Sequence, residues 1–403
     1  MRIAFKPGLP SGEVKAPPSK SDLHRLLIAA GLADGESGIG NVSDSDDIRA
    51  TLLCLRALGA RITREGRKTY VRGIRRGEPV EGSVCPCGEC GSTLRFLIPV
   101  AAAHPGKVLF TGADRLFARP LSVYEDVFRE QGVPFTKSAE GVWVGDGLHS
   151  GRFAFPGDVS SQFASGLLFA LPLLPGKSEI RLTGPIESRP YIDMTLRALS
   201  LFGVEAGWRS HDTLSVPGGQ RFTPADAEPE GDWSNAAFWF LMRALGAQLR
   251  VSGLEPDSLQ GDRGVGLLLE RVKAGNAVIS LADCPDLGPV LMAAAAAFGG
   301  AVFTHTRRLK LKESDRGAAM AQELLKLGVP CRVEEDRVTV SAAPLRRPQE
   351  PLCGHGDHRI VMALSVLLLV TGGELTGAEA AAKSYPDFFE LLKRNRAVLK
   401  TLE

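Results

Sequence analysis

The segment LRALGARI, residues 55–62, carries the pattern that decides the fold. Apolar residues at helical spacing run up to Gly59, and glycine is typical of a helix C-terminus because it adopts a left-handed conformation without strain. A β-like run follows directly. The same order recurs in FREQGVPF, LSLFGVEA and LLKLGVPC, which place Gly132, Gly203 and Gly328 at helix ends. This recurrence predicts a repeated α/β unit rather than a solenoid.

The composition is that of an ordinary globular protein. Of 403 residues, 44% are hydrophobic, so the chain is long enough to bury a large core in two or three domains. The 48 basic and 46 acidic residues leave a net charge of +2 without dense Lys/Arg runs, which argues against a nucleic-acid or membrane-surface binder. A local cluster of cations would still suit a small anionic ligand.

The cysteines and the apolar segments indicate where the protein works. Seven cysteines, an odd number without framework spacing, favour a reduced compartment over a disulfide scaffold. The first residues, MRIAFKPGLPSG, lack the apolar core of a signal peptide. The longest apolar segments, around 290–303 and 360–371, are too short or too interrupted by glycine to span a bilayer. We therefore expect a cytoplasmic protein.

Two segments in the first quarter of the chain place cations at helix starts. PPSKSDLHRLL, residues 17–27, opens a predicted helix with Lys20 and Arg25, where free backbone N–H groups also suit a phosphate or carboxylate. GECGSTLRFLIPVAA, residues 88–102, puts Gly91 just ahead of an apolar helix, which is the layout of an anion nest. A capped surface helix and a structural turn are the alternative interpretations.

Two further regions are unusually polar. GDVSSQFASG, residues 157–166, places Ser160, Ser161 and Gln162 ahead of an apolar helix, which is more than capping requires. The second region is split among CPDLGPV near 286, RRLKLKESDRGAAM, GHGDHRIVMAL and AAAKSYPDFFE. Basic residues there precede buried-looking helices and could grip a carboxylate-bearing substrate, although surface salt bridges would give a similar pattern.

Two metal sites can be considered and are disfavoured. Cys85, Cys87 and Cys90 crowd together in CPCGEC, but a closed zinc site needs a fourth ligand that no nearby motif supplies. His355 and His358 have HxxH spacing, but the cationic Arg359 beside them would repel a metal ion. We expect neither a metal nor an organic cofactor.

These segments together resemble a known family. The chain is similar to the 5-enolpyruvylshikimate-3-phosphate (EPSP) synthase family of enolpyruvyl transferases. The resemblance runs nearly end to end, because ten short motifs occur in the family's order: PSKSDLHR, GSTLRF, RP, SSQF, SRPYIDMT, EGDWS, PDLGP, LKESDR, DHR and AKSYPDFFE. No single motif is decisive, but the ordered set is highly specific.

The resemblance implies an α/β fold with two similar domains, each built of three βαβαββ units whose helices pack inward as an inside-out barrel. A double-crossover hinge would join a discontinuous domain, residues 1–18 plus 231–403, to a continuous domain, residues 19–230. The linker-like stretch at 217–235 fits this boundary. The first domain would carry the acid/base residues and the second most shikimate 3-phosphate contacts. Substrates would bind in the cleft between them, with domain closure on binding.

The family's reaction, carried over by the resemblance, transfers the enolpyruvyl group of phosphoenolpyruvate to the 5-hydroxyl of shikimate 3-phosphate through a tetrahedral intermediate, with release of phosphate. It requires a base and an acid, which the resemblance assigns to Asp286 and Glu313, with Lys20, His358 and Lys383 assisting. The implied shikimate 3-phosphate contacts are Lys20, Ser21, Arg25, Ser160, Ser161, Gln162, Ser188, Tyr191, Asp286 and Lys312. The implied phosphoenolpyruvate contacts are Lys20, Gly91, Arg119, Gln162, Arg316, Arg359 and Lys383. We expect a monomer without nucleic-acid or membrane partners.

Some residues depart from the family pattern, and two rival functions remain open. Arg308 stands where the family often has Asn, which puts that one substrate contact in doubt. Cys90 lies beside the implied phosphoenolpyruvate site, so we expect thiol alkylation to slow the enzyme.

The sister enzyme, UDP-N-acetylglucosamine enolpyruvyl transferase, uses a loop cysteine that TGADRLFARP lacks. A nonenzymatic anion-binding protein would lack the acid and base, yet Asp286 and Glu313 are both present.

Overall fold

The computed structural model describes residues 1–402, which form two compact units. One unit is continuous, Lys20–Pro229, and the other combines Met1–Ser19 with the chain from Glu230 onward. The chain therefore passes from one unit to the other twice. Each unit has its own hydrophobic core of buried residues.

Helices and strands alternate along the described chain. The α-helices are α1 (Lys20–Leu32), α2 (Asp46–Ala57), α3 (Gly91–Ala102), α4 (Asp114–Ala118), α5 (Ser122–Gln131), α6 (Ser161–Ala170), α7 (Arg189–Leu201), α8 (Trp233–Ala244), α9 (Val265–Lys273), α10 (Gly288–Phe298), α11 (Arg316–Lys326), α12 (His358–Thr371) and α13 (Phe388–Arg394). Short 3-10 turns lie at Leu171–Leu173, Gly261–Gly264, Pro285–Leu287, Arg307–Leu311 and Ala378–Lys383.

The strands are short and belong to six sheets. They are β1 (Arg2–Phe5), β2 (Ser11–Lys15), β3 (Glu36–Gly40), β4 (Arg61–Glu65), β5 (Lys68–Arg72), β6 (Ser83–Pro86), β7 (Val108–Thr111), β8 (Phe135–Ser138), β9 (Gly141–Val144), β10 (Arg152–Pro156), β11 (Ser178–Thr183), β12 (Gly207–Trp208), β13 (Thr213–Val216), β14 (Gln248–Ser252), β15 (Ala277–Ser280), β16 (Ala301–Thr304), β17 (Cys331–Val333), β18 (Arg337–Val340), β19 (Leu352–Cys353), β20 (Gly373–Thr376) and β21 (Leu399–Leu402).

One strand order is repeated through the molecule. In the sheets β6-β7-β9-β8, β10-β11-β13-β12 and β15-β16-β18-β17, the first pair is parallel and the next two pairs are antiparallel. The chain order is strand, helix, strand, helix, strand, strand, which is the predicted βαβαββ unit, and the first of the three sheets has the short helix α4 in addition, before α5. The sheet β19-β20-β1-β21 has the same pairing, with the N-terminal strand β1 in the third position, which the last strand of the unit holds in the other three sheets. The α/β prediction is therefore confirmed.

The four glycines that decided the sequence interpretation end helices as predicted. Gly59, Gly132, Gly203 and Gly328 all have positive φ, between 71° and 104°. In each case the following N–H donates to the carbonyl five residues earlier, as in Ala60 to Leu55 at 2.9 Å, which is the Schellman pattern. A strand follows each of them. Glycine at these positions thus sets where each helix stops.

The helices at the centre of each unit are buried on every side. In α10, every residue from Gly288 to Ala296 is buried, and α3, α6 and α12 are buried almost as completely. A helix that is apolar around its whole circumference must be covered on all faces. This fits the inward-packed helices that the family resemblance implies. Among the described residues, no helix is both long and apolar enough to cross a membrane.

Close packing between α3 and α6 depends on Gly166. A Cβ built there would lie 2.3 Å from the Arg95 carbonyl oxygen and 2.3 Å from the Tyr124 hydroxyl, and both atoms are held in the core. We expect Gly166→Ala to destabilise the protein by about 1–3 kcal/mol through overpacking. Gly266, also helical, has open space around its Cβ position, so Gly266→Ala should stabilise by up to about 1 kcal/mol. Urea unfolding midpoints check both, and a shift in the same direction for both variants would contradict the packing argument.

Candidate active site

A buried arginine joins three carboxylates in the discontinuous unit. Arg316 is 1% exposed, and its guanidinium donates to Asp286 Oδ1 at 2.8 Å, Glu313 Oε2 at 2.7 Å and Asp357 Oδ2 at 2.8 Å. Burying a charge is costly unless it is paired, so the three acids stabilise the arginine where it lies. The sequence motifs PDLGP, LKESDR and DHR, distant in the chain, therefore meet at one point.

Strand-to-helix connections bring these residues together. Asp286 lies between β15 and α10, Arg316 begins α11 after β16, and Asp357 precedes α12 after β19. Asp357 is the N-cap of α12, where its Oδ1 accepts from the Arg359 N–H at 2.9 Å. An N-cap aspartate satisfies one of the free N–H groups at a helix start. Its second oxygen remains available for Arg316.

Three cations surround Asp286. Besides Arg316, Lys312 Nζ lies 3.1 Å from Oδ1 and Arg359 Nη2 lies 3.0 Å from Oδ2. Burial raises the pKa of Asp286, but the charges of Arg359, Lys312 and Arg316 outweigh it and hold that pKa well below its ordinary value. Burial also lowers the pKa of Lys312 to about 8, with the Asp286 charge opposing this shift. Asp286 is therefore ionised at neutral pH.

Two buried arginines, Arg359 and Arg119, have hydrogen-bond donors without partners among the described residues. Within residues 1–402, Nε and Nη1 of Arg359 and Nε of Arg119 have no partner. The two side chains belong to different units and are only 4% and 8% exposed. An unsatisfied buried donor costs free energy, and a bound anion would supply the missing acceptors. Both residues are among the predicted phosphoenolpyruvate contacts.

The start of α3, in the continuous unit, faces Arg119. A Cβ at Gly91 would lie 2.5 Å from Arg119 Nη1, so a larger residue there would push this guanidinium away from its position. The first turn of α3 has no acidic residue, so its positive end is not neutralised by the helix itself. Gln162, at the start of α6, donates to Ser92 Oγ at 2.9 Å and accepts from Arg95 at 2.8 Å. The predicted residues of GSTLRF and SSQF thus lie side by side.

The start of α1 is tied to neighbouring helices. Lys20 Nζ pairs with Asp47 Oδ2 at 2.6 Å, and Arg25 donates to the Tyr191 carbonyl at 2.8 Å and to Thr195 Oγ1 at 2.8 Å. Burial lowers the pKa of Arg25 to about 10, so it stays charged at neutral pH. Arg25 also lies 6.0 Å from the Tyr191 ring centroid, which links α1 to α7.

The remaining predicted residues also occupy helix starts or the turns beside them. Ser160 is the N-cap of α6 and accepts from the Gln162 N–H at 3.3 Å. Ser188 precedes α7 in a left-handed conformation, with φ 57°. Lys383, after β20, donates to the Gly356 carbonyl in the turn before Asp357. Ser21 and Ser161 lie in the first turns of α1 and α6, and His358 is the first residue of α12.

Sequence reasoning missed several residues that hold the site together. Asp47, the partner of Lys20, lies in a run of acids whose other members give no reason to select it. Arg95 fixes both Gln162 and the Pro120 carbonyl beside Arg119, donating to each at 2.8 Å. Asp357 has a readable signal, because an aspartate directly before an apolar helix indicates an N-cap.

The structure overturns the expectation that Cys90 is readily alkylated, and it shows where the other CPCGEC cysteines and Arg308 lie. Cys90 is 2% exposed, and burial raises the pKa of its thiol to about 12, so rapid alkylation is no longer expected. Cys87 Sγ lies 3.9 Å from Cys54 Sγ, whereas Cys90 Sγ lies 3.7 Å from His24 Nε2, so the three CPCGEC thiols do not form one ligand set. Arg308 donates to the Ala282 carbonyl, four residues before Asp286.

The chain matches known proteins over nearly its whole length. The sequence model of EPSP synthase (3-phosphoshikimate 1-carboxyvinyltransferase) matches residues 6–392. Proteins named 3-phosphoshikimate 1-carboxyvinyltransferase from Clostridium botulinum and Clostridium kluyveri are 38% and 39% identical, covering 96% of this chain and 95% and 96% of theirs.

Solved structures share the fold. EPSP synthase from Acinetobacter baumannii superposes with a TM-score of 0.79 at 23% identity over 100% of both chains. The enolpyruvyl transferase NikO from Streptomyces tendae gives a TM-score of 0.77 at 19% identity, covering 99% of this chain and 98% of its own. At these identities the likeness extends to the fold alone.

The ion pairs of Arg316 predict that loss of one carboxylate destabilises the protein, and a second N-cap aspartate provides a matched control. Asp357→Asn keeps an N-cap acceptor but removes the buried charge opposite Arg316, so we expect a loss of about 3–5 kcal/mol. Asp315 is the N-cap of α11, accepting from the Ala318 N–H at 3.1 Å, but it makes no such buried pair. Asp315→Asn should change stability by only a few tenths of a kcal/mol. Equal shifts in the denaturation midpoint for the two variants would contradict the role given to Arg316.

Proposed function

Because this chain belongs to the EPSP synthase family, we propose that its carboxylates and buried arginines carry out enolpyruvyl transfer. The group moves from phosphoenolpyruvate to the 5-hydroxyl of shikimate 3-phosphate, and phosphate is released. The reaction belongs to aromatic amino acid biosynthesis. The observation that carries the proposal is an ionised Asp286 beside Arg359, whose Nε and Nη1 lack partners within residues 1–402.

Phosphoenolpyruvate would be held mainly by arginines. Arg119 and Arg359 have unpaired donors and are buried, so a carboxylate or phosphate accepts their hydrogen bonds without breaking existing ones. Gly91 lets the ligand approach the positive end of α3, which has no acid in its first turn. The remaining proposed contacts are Lys20, Gln162, Arg316 and Lys383.

Shikimate 3-phosphate would be held by residues at helix starts and by Asp286. Hydroxyls at the starts of α6 and α7 suit a phosphate monoester, because several neutral donors can share its charge with a few cations. Lys312, beside Asp286, supplies a cation. The proposed contacts are Lys20, Ser21, Arg25, Ser160, Ser161, Gln162, Ser188, Tyr191, Asp286 and Lys312.

The chemistry requires proton transfer at two atoms of the substrates. In the proposal, Asp286 accepts the proton of the 5-hydroxyl while Glu313 protonates the C3 methylene of phosphoenolpyruvate, and a C–O bond forms at C2. Loss of a C3 proton then expels phosphate from the tetrahedral intermediate and restores the enol. Lys20, His358 and Lys383 assist by stabilising charge and proton transfer. The two carboxyl groups share Arg316 as a neighbour, so one guanidinium keeps both in place.

The low pKa of Asp286 makes it a weak base until substrates arrive. Its pKa is depressed by the charges of Arg359, Lys312 and Arg316. When anionic substrates bind these cations, part of that positive charge is neutralised, so the proton affinity of Asp286 rises. The base is thereby strengthened only in the complex, where a hydroxyl proton is available.

The other two functions receive less support. A UDP-N-acetylglucosamine enolpyruvyl transferase would use a cysteine in the loop before Arg119, and TGADRLFARP has none. A nonenzymatic anion-binding protein would not need Asp286 and Glu313 paired on one arginine. A single chain supplies all the proposed residues, so the proposal needs no second copy and no cofactor.

Phosphate release from purified protein, shikimate 3-phosphate and phosphoenolpyruvate tests the function. Asp286→Asn and Glu313→Gln should each lower turnover by about 10²–10⁴-fold, since each removes a group that transfers a proton. Asp283→Asn is the matched control, because Asp283 is an exposed carboxylate three residues from Asp286. Near wild-type turnover in both site variants would refute their assigned roles, and no phosphate release by the unaltered protein would refute the function.

The lowered pKa of Lys312 predicts that the affinity for shikimate 3-phosphate depends on pH. Its pKa of about 8 means that it loses its charge as the pH rises through 8 to 9, while shikimate 3-phosphate keeps its charge above pH 7. The protonated lysine binds the anion, so affinity should fall by up to about tenfold per pH unit above 8. Lys312→Arg keeps its charge over this range and should abolish most of the fall. Calorimetric titration from pH 7 to 10 measures this, and parallel curves for the two proteins would contradict it.

A further inference from the structure

Three buried side chains of different chemistry meet beneath Lys20. His24 lies in α1, Asp47 in α2, and Cys90 is the N-cap of α3. One ligand atom from each, the imidazole nitrogen, a carboxylate oxygen and the sulfur, lies within 4.8 Å of the other two. From this geometry we propose that they form an inhibitory binding site for Zn²⁺.

The distances suit a tetrahedral zinc ion. Bonds of about 2.3 Å to sulfur and about 2.0–2.1 Å to nitrogen place these two ligand atoms about 3.6 Å apart at a tetrahedral angle. Cys90 Sγ and His24 Nε2 are 3.7 Å apart. Sulfur, nitrogen and oxygen are all zinc ligands, and in sites with three protein ligands a water takes the fourth position, whereas harder cations such as Mg²⁺ avoid sulfur and nitrogen. Zinc therefore needs little movement of the sulfur and the imidazole.

The imidazole is already oriented for a metal. His24 Nδ1 lies 2.7 Å from Thr51 Oγ1, which in turn lies 2.7 Å from Thr93 Oγ1. A ligand histidine usually donates from its second nitrogen to a fixed partner, which settles the tautomer and the ring plane. Here the hydroxyl of Thr51 can accept from Nδ1 and leave Nε2 for the ion. The two hydroxyls come from α2 and α3, so the same helices position the ring, the carboxylate and the sulfur.

Zinc binding would replace one charge arrangement with another. In the structure, the Asp47 carboxylate pairs with the Lys20 ammonium, with Nζ 2.6 Å from Oδ2. When Zn²⁺ enters, the Cys90 thiol releases its proton to solvent and a zinc–thiolate bond forms, while the carboxylate binds the ion instead of Lys20. A dication with two anionic ligands is neutral, so the Lys20 ammonium loses its ion pair with the Asp47 carboxylate and no longer has that anion to hold its position.

The loss of the Lys20 ion pair links the metal to activity. Lys20 is a proposed contact of both substrates and a proposed aid to proton transfer, so this inhibitory step depends on the proposed function. Metal binding itself does not depend on it. The site differs from the CPCGEC zinc site considered from the sequence, because only Cys90 of those cysteines takes part. It requires His24 and Asp47, which the spacing of the cysteines does not reveal.

The experiment uses the full chain without substrates and titrates it with Co²⁺ and Zn²⁺. Co²⁺ should give one thiolate-to-cobalt absorption band per chain, and Zn²⁺ should displace it. Cys90→Ser keeps a capping oxygen at the start of α3 but removes the thiolate, so it should bind Zn²⁺ at least about tenfold more weakly. His24→Asn should weaken binding similarly. Cys331→Ser, which alters a part-exposed thiol of the other unit, is the matched control and should bind as the unaltered protein does.

Phosphate release then separates binding from inhibition. Micromolar Zn²⁺ should lower the rate at least about tenfold in the unaltered protein and in Cys331→Ser, and a chelator should restore it. Cys90→Ser should keep its rate in zinc. No cobalt band, or equal zinc affinity for Cys90→Ser and the unaltered protein, would overturn the site. A filled site with an unchanged rate would overturn the inhibition, whereas a protein that binds zinc but never releases phosphate would instead refute the proposed function.

Discussion

The paired burial of charge around Arg316 is the constraint on which the candidate site of the discontinuous unit depends. Its guanidinium is 1% exposed and touches three carboxylates. Counting Lys312 and Arg359 as well, three cationic side chains face three carboxyl groups, so the basic and acidic groups are matched in number. Removing one member would leave an uncompensated buried charge, which costs several kcal/mol. The starts of α10, α11 and α12 must therefore stay within hydrogen-bond reach of one another.

The repeated βαβαββ unit explains why helix starts supply these residues. The helices that carry the site follow strands, and the carboxyl ends of parallel strands lie at the same edge of a sheet. The strands β15 and β16 are parallel, so Asp286 after one and Arg316 after the other emerge on the same side. The same reasoning holds for Gly91 after β6 and Arg119 after β7, since these strands are also parallel. Repetition of one motif thus provides several positive helix ends in each unit.

The fold was predictable because its signals are local. A glycine at a helix end followed by a strand is determined by neighbouring residues, and Gly59, Gly132, Gly203 and Gly328 all confirmed it. Most of the motifs lie where a helix begins after a strand, so the positions of the predicted site residues relative to the helices could also be read from the sequence. The roles assigned to single residues remain proposals, since they depend on bound substrates.

What sequence could not supply is the pairing between distant segments. Asp47 looks like Asp44 and Asp46 beside it, and only the packing of α1 against α2 selects it for Lys20. CPCGEC invites a shared ligand set, but Cys87 turns toward Cys54 while Cys90, as an N-cap, turns toward His24. The positions of neighbouring cysteines in sequence say little about which way each sulfur points. Such pairings follow from tertiary packing, which no local pattern encodes.

In the structure, cations of the candidate site are paired with its own acids. The Asp286 carboxylate pairs with Lys312 and Arg359, and the Asp47 carboxylate pairs with Lys20, in the way that a substrate anion would. Under the proposed function, binding at Lys312 and Lys20 is therefore an exchange of anions, in which the cost of loosening buried pairs offsets part of the new attraction, whereas Arg359 still has donors without partners within residues 1–402. A singly charged ligand gains too little to offset that cost, whereas a ligand with both phosphate and carboxylate groups replaces several contacts at once. In the proposed function, the same exchange weakens the attraction of these cations to Asp286, so the preference for multiply charged ligands and the strengthening of Asp286 as the proposed base would share one electrostatic origin.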